Sequence, residues 1–207
     1  MSTIGQPERA TQNRVIALFR DELGYRYLGD WTDRSDNSNI EEGLLTAYLT
    51  KSGYSPALIA KALHDLRTEA GNPNRSLYDN NKKVYSLLRY GVPVKIEAGK
   101  VTETVKLIDW EQPELNDFAL AEEVTLRGNL ERRPDLVLYV NGIAIGVIEL
   151  KNSRVSIGDG IRQNLSNQQP EFNAWFFSII RDVASQLSFR SSGRQLRTIW
   201  FHKGGRP

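Results

Sequence analysis

Asp135, Glu149 and Lys151 bracket the most aliphatic stretch of the chain, RPDLVLYVNGIAIGVIELK, which runs from Arg133 to Lys151. It reads as two strands, Leu136–Val140 and Ile143–Ile148, joined by a tight turn at Asn141-Gly142. Both strands are aliphatic on both faces, as suits the middle of a sheet covered on both sides. Charges at both open ends of such a hairpin need a reason. Two carboxylates on adjacent strands repel, and a divalent cation resolves the repulsion. Mg2+ takes hard oxygen ligands: one or two carboxylates, waters and a substrate phosphate. The Leu150 carbonyl can be a further ligand. A metal held there lowers the pKa of a bound water and offsets charge developing on a phosphodiester. Lys151 can orient or deprotonate that water, or balance the phosphorane charge. The residues therefore suit hydrolysis of a nucleic-acid backbone. They also suit a plainer account, in which Asp135 caps the strand entry after Pro134 and Glu149 and Lys151 are solvated strand-end charges.

Register decides between the two. Glu149 and Lys151 are two apart and point to one side of their strand, while Leu150 points to the other. A two-residue loop pairs Val140 with Ile143 and, if pairing is unbroken, sets Asp135 against Ile148 with Glu149 on the opposite side. A three-residue loop with Gly142 in the left-handed conformation pairs Asp135 with Val147, on the face of Glu149 and Lys151. The site thus requires a three-residue loop or a bulge.

The elements around this hairpin divide the chain. Apolar residues at helical spacing predict helices over Arg9–Leu23 (Val15, Ile16, Phe19 and Leu23 on one face), Ile40–Lys51, Ser55 to about Gly71, and Ser76–Tyr90. Ser55-Pro56 is a helix start, a hydroxyl cap followed by proline at the first helical position. Beyond Gly91 the period shortens. Val92–Glu97 and Val101–Ile108 read as a hairpin and Asp117–Leu126 as a strand, with a polar turn at Gly128-Asn129. Ile157–Gln168 and Glu171–Asp182 read as helices split by Pro170, and Leu196–Phe201 as a last strand. The expected fold class is α/β, a mixed β-sheet flanked by helices with an N-terminal helical layer.

At 207 residues the chain can bury one sizeable core. Residues 1–182 read as a single domain, with the helical layer over about 8–91, an α/β core over about 92–182, and a basic tail over 183–207. The last acid is Asp182, and from Arg190 onward there are four Arg, one Lys and one His with no Asp or Glu. A net charge of +2 is too small to prescribe an acidic partner for the whole chain. The absence of cysteine excludes disulfides and thiolate metal sites and fits a cytoplasmic protein. The polar N-terminus lacks the apolar core of a signal peptide. The longest apolar runs are strand-sized, so no membrane-spanning helix is expected. No GxxxxGK[ST] phosphate loop occurs, so any ATP-driven activity must come from elsewhere.

Pro134-Asp135 followed across a hairpin by Glu149-Leu150-Lys151 is the PD-(D/E)xK nuclease pattern. The wider stretch RRPDLVLYVNGIAIGVIELKN is preceded by NDFALAEEVTL and followed by IRQNLSNQ. Together with LRYGVPVK and LFRDELGYRYLGDW, it resembles the N-terminal nuclease domain of the restriction (R) subunit of type I restriction–modification enzymes. The resemblance covers roughly residues 10–180 and fades after about Ile180. It implies a restriction-endonuclease-like core that cuts double-stranded DNA with Mg2+. It also implies an ATP-driven motor outside this chain, which would then be a piece or truncated form of a longer protein, and a complex with methylation and specificity subunits. By matching position, Asp135 and Glu149 are the metal ligands and Lys151 the catalytic lysine. The family's Q-x-x-x-Y motif maps onto Gln163, but its tyrosine position holds Asn167, which puts a role there in doubt. Gln163 can contact the site or a phosphate.

Other candidates are weaker. Glu122 and Glu123 point to opposite sides of a strand, so one of them can face the cleft and complete a metal site. Arg132, Arg133, Arg154 and Arg162 bracket the site and can hold phosphates without reading sequence. His64 and His202 are isolated histidines, and His64 reads as surface or packing. A different class of function stays open: a non-catalytic DNA-binding or subunit-docking domain on a nuclease scaffold.

Overall fold

The computed structural model describes residues 6–97, 99, 101–128, 130–150 and 173–185. Helix α1 (Gln6–Ala17) continues directly into a π-helical turn at Leu18–Glu22, closed by a Leu23 N–H to Leu18 O bond of 3.1 Å. Strand β1 (Arg26–Asp30) follows, then helices α2 (Glu42–Lys51), α3 (Pro56–Ala70) and α4 (Leu77–Tyr90). Strands β2 (Val92–Val94) and β3 (Glu103–Val105) form a separate antiparallel hairpin. The remaining elements are β4 (Phe118–Glu122), β5 (Leu136–Val140), β6 (Ile143–Glu149), a single helical turn α5 (Ala174–Phe177) and β7 (Asp182–Ser185). The main sheet has the order β1-β4-β5-β6-β7. Its outer pairs are parallel and its two central pairs antiparallel, so it is the mixed sheet expected.

The central hairpin is covered on both faces. Leu136, Leu138 and Ile148 pack with Val15, Ile16 and Phe19 on the α1 side. Val137, Tyr139 and Val147 pack with Trp31, Phe176 and Phe177 on the other. Val140 and Ile143, at the turn end, join a third cluster built on α2, α3 and α4. The Ser55 cap is as the sequence indicated: its Oγ accepts from Leu58 N at 3.4 Å, with Pro56 next in the chain. Ser76, read as the first residue of its helix, is instead its cap, and its Oγ accepts from Asp79 N at 3.1 Å.

Four elements differ from the sequence reading. The π turn advances the helix phase by one residue, so Leu23 is 47% exposed instead of joining Phe19 in the core. Arg26–Asp30, to which the sequence reading assigned no element, is an edge strand parallel to β4. Its five residues are only partly covered, so no clean alternation marks it. The strand expected over Asp117–Leu126 ends at Glu122, because Glu123 has φ +51°. The helix expected over Glu171–Asp182 is one turn only, followed by a strand beside β6. The β-branched Ile180, just before that strand, and Val183 within it suit the extended course. The helix expected over Ile157–Gln168 and the strand expected over Leu196–Phe201 lie outside the described residues.

Candidate functional site

The Asn141-Gly142 turn has two residues, both at positive φ (53° and 82°), and Val140 pairs with Ile143. Fully buried Asn141 locks it. Its Nδ2 donates to Leu107 O at 2.9 Å and Asn116 Oδ1 at 2.8 Å, and its Oδ1 accepts from Asp117 N at 2.7 Å. The pairing is nevertheless not unbroken. Tyr139 pairs with Ala144 and Leu138 with Gly146, so Ile145 is an extra residue in β6. Beyond this bulge Leu136 pairs with Ile148, and one further step in that register sets Asp135 opposite Glu149. Directly opposed residues share a face. A bulge therefore supplies what the site required, by a route other than the three-residue loop, and the partner of Asp135 in register is Glu149 rather than Val147.

Glu149 is buried at 4% exposure and Asp135 is half-buried. The Leu150 N–H donates to Asp135 Oδ2, which ties the carboxylate to the end of β6. The Leu150 side chain turns into the α1-side core, away from Glu149, as the alternation predicted. Lys151, Arg154, Arg162, Gln163 and Asn167 lie outside the described residues, as does His202. His64 is exposed on α3.

Glu122 and Glu123 do not diverge as the sequence suggested. The left-handed turn at Glu123 brings both carboxylates to one side-chain amide, with Gln12 Nε2 at 2.9 Å from Glu122 Oε2 and 3.1 Å from Glu123 Oε1. The same nitrogen reaches the Asp135 carbonyl at 3.4 Å. Arg9 adds a two-pronged contact to Glu122, at 2.6 and 3.3 Å, and Tyr27 donates its hydroxyl to Oε1. The Glu122 hydrogen bond raises the Arg9 pKa. Burial first, and that carboxylate second, push the Tyr27 phenol up to about 12. Asp30 pairs in register with Glu122, and its own carboxyl is pulled down chiefly by a hydrogen bond from Thr32. One end of the sheet thus collects Asp30, Glu122, Glu123, Asp135 and Glu149, with Arg9, Gln12, Tyr27 and Arg133 among them.

Arg133 reaches this end by pairing with Glu123 at 3.0 Å. Arg132 is held by backbone bonds to Leu126 on the segment that leads to Asp135. Among the described residues, no group of three or more His, Cys, Asp or Glu is placed to hold a metal ion. Glu122 and Glu123 are engaged by Arg9, Gln12 and Arg133, and Asp135 by the Leu150 N–H. Sequence reasoning missed Gln12, although a signal was present. Gln12 stands three, four and seven residues before Val15, Ile16 and Phe19, on the buried face of α1, where a polar side chain needs a partner.

The model of the type I restriction enzyme R protein N terminus matches residues 5–204, well past Ile180, where the sequence resemblance was expected to end. A putative type I restriction enzyme endonuclease subunit (MjaIXP) of Methanocaldococcus jannaschii is 32% identical over 102 residues, covering 46% of this chain and 10% of that protein. A second from the same organism (MjaVIIIP) is 31% identical over 101 residues, covering 47% of this chain and 9% of its own length. The type I restriction enzyme HindI endonuclease subunit of Haemophilus influenzae is 36% identical over 76 residues, covering 35% and 7%. The matched part of the chain thus spans a tenth or less of these relatives. Among the described residues, no helix is long and apolar enough to cross a membrane.

Proposed function

The chain belongs to the family of type I restriction enzyme R protein N termini, and from that premise we propose that it is a Mg2+-dependent endonuclease domain that hydrolyses phosphodiester bonds of double-stranded DNA. The observation that carries the reading is the Ile145 bulge, which pairs Leu136 with Ile148 and, in that register, would bring Asp135 and Glu149 to one face at the end of two central strands. The names of the relatives, all endonuclease subunits, support the same class of reaction. The donor set fits the cation. Two carboxylates offer hard oxygens, in the number Mg2+ ordinarily takes from a protein, with waters and a substrate phosphate left to complete the shell.

Asp135 and Glu149 would hold the ion, with the Leu150 carbonyl as a further oxygen. Bound there, the ion supplies an acidified water and a counter-charge for the phosphorane. The Leu150 N–H fixes one oxygen of Asp135, so that carboxylate is oriented before any ligand arrives. Lys151, next in sequence, orients the attacking water or balances the developing charge. Arg132, Arg133, Arg154 and Arg162 hold phosphates on either side, and Gln163 contacts the site or a phosphate. Sequence recognition, the ATP-driven motor and assembly with methylation and specificity subunits belong to the full-length R subunit in this reading, and its place of work is the cytoplasm.

The test is a crystal soaked in Mn2+ with anomalous diffraction. A peak between Asp135 and Glu149, lost in Glu149→Gln, is the expected result. Lys151→Ala should keep both the peak and DNA binding while losing cleavage. No ion at Asp135 in crystals that also hold DNA would overturn the nuclease reading and favour the non-catalytic docking domain.

A further inference from the structure

The outer face of α4 carries charge and rings in alternation. At about 100° per residue, Tyr78, Lys82, Tyr85 and Arg89 fall within an arc of about 60°. That arc flanks the buried side of the helix, which holds Asn80, Val84 and Leu88. Tyr78 is 74% exposed and Tyr85 44%, with Lys82 and Arg89 exposed between and beyond them. Two further residues extend the stripe. Arg181 lies over the Tyr85 ring at 4.6 Å, and Arg89 lies 5.4 Å from the ring of exposed Trp110. The Trp110 indole N–H is anchored on Leu88 O at 2.8 Å.

Many cations elsewhere in the molecule are neutralised by a carboxylate. Arg20, Arg26, Arg34, Arg67 and Arg75 each face a carboxylate. Among the described residues, no carboxylate lies within ion-pair distance of Lys82, Arg89 or Arg181. The one acid of α4, Asp79, lies outside the arc and is bonded to Ser76 Oγ at 2.6 Å. We propose that this stripe is a nucleic-acid contact surface, separate from the Asp135–Glu149 pair. Lys82, Arg89 and Arg181 take backbone phosphates, and the exposed faces of Tyr78 and Tyr85 stack on bases of an unpaired strand. An acidic protein surface would be met by the cations alone. The interleaved rings, two of them already beneath guanidinium groups, are what a base has reason to use.

The stripe is spatially distinct. The Arg181 N–H bonds to Ile145 O, four residues before Glu149 along β6, or about 13 Å of strand. Binding there can therefore be read without cutting.

The experiment measures fluorescence anisotropy of the 207-residue chain with a labelled 30-nucleotide strand and with its duplex. It is run in EDTA across a salt series, so its outcome does not depend on the nuclease reading. Lys82→Ala/Arg89→Ala should weaken both forms and reduce the slope of log Kd against log salt by about 0.7 to 0.9 for each phosphate no longer neutralised. Tyr78→Ala should weaken the single strand about fivefold or more and leave the duplex within about twofold. All these positions are exposed, so thermal melts should stay close to the parent's. A Lys51→Ala/Lys61→Ala control, on other helices, should change neither slope nor affinity. The proposal is overturned if the double variant keeps the parent slope, if the control loses as much, or if the parent binds no DNA at low salt. Binding of polyglutamate as tightly as DNA, with Tyr78→Ala silent in both, would instead mark an acidic-protein surface and also sink it.

Discussion

Leu136 stands opposite Ile148 because Ile145 has no partner in β5, and the same register carried one step on sets Asp135 against Glu149. The Asn141-Gly142 turn alone would have put Ile148 there and sent Glu149 to the other face. One inserted residue in β6 changes the chemistry available at the far end of both strands.

This relationship predicts which acids respond to metal. Mn2+ at a hundredfold excess over its Kd should stabilise the parent by about 2.7 kcal/mol. In thermal shift assays Asp135→Asn and Glu149→Gln should abolish that increment. Glu122→Gln should lower the starting Tm, since it leaves Arg9 with a weaker partner, yet keep the increment. An increment lost in Glu122→Gln and kept in Glu149→Gln would move the ion to the α1 side of the sheet.

The turn itself is the next place to test. A Cβ on Gly142 would lie 2.7 Å from Leu44 Cβ and 2.8 Å from Glu41 O, at a backbone φ of +82°. Both neighbours are packed, so neither can yield cheaply. Gly142→Ala should cost about 3 kcal/mol or more by urea denaturation, combining left-handed strain with overpacking. Gly29→Ala shares the positive φ but meets nothing within 4 Å, so about 1–2 kcal/mol is expected. Equal losses would show that packing of the turn against α2 matters little.

The hairpin, the Ser55 cap and the α/β class were legible because each rests on local pattern: aliphatic runs, Ser-Pro at a helix start, Asn-Gly between strands. What escaped was set by tertiary pairing. Nothing around Ile145 in IAIGVIE marks the extra residue, though Gly146 beside it is the kind of residue that accompanies a bulge. β1 was hidden because an edge strand next to β4 needs little apolar alternation. The convergence of Glu122 and Glu123 depends on a left-handed glutamate, a conformation no propensity favours. Asp135 and Glu149 were singled out from spacing alone, and the bulge that governs their register could not be read there. Gln12 was readable as a polar residue on an apolar helical face, but its partners lie more than a hundred residues away.

Gln12 gives a prediction of its own. Its amide nitrogen stands between Glu122, Glu123 and the Asp135 carbonyl. Gln12→Ala should destabilise by about 1–3 kcal/mol, because a buried carboxylate loses a donor. Gln12→Glu should be worse at neutral pH, since it adds a third negative charge. The extra carboxyl holds its proton more tightly when folded than when unfolded, so the deficit should shrink as pH falls toward 4. Urea midpoints at pH 7 and pH 4.5 measure this. A Gln12→Glu deficit that does not change with pH would mean that the new carboxylate escapes to solvent.

The last prediction concerns Tyr139, fully buried in β5 against Trp31 with ring centroids 5.6 Å apart. Its hydroxyl has no hydrogen-bond partner among the described residues. Burial first, and the nearby negative charge of Glu41 second, raise its pKa well above 10. The sign follows from linkage. The folded state keeps a phenolic proton that the unfolded chain releases near pH 10, so the contribution is fully present below that pH and is lost as pH rises. One such proton gives a slope of about 1.4 kcal/mol per pH unit. Tyr25 and Tyr27, both pushed up to about 12, add to the loss between pH 10 and 12. Tyr139→Phe removes one buried ionisable group and one unpaired hydroxyl. At pH 7 it should leave stability unchanged or raise it by about 1 kcal/mol. Above pH 10 its stability should fall less steeply than the parent's. Urea midpoints at pH 7, 9 and 10.5 decide the matter, and parallel declines for parent and variant would place the titrating phenol elsewhere.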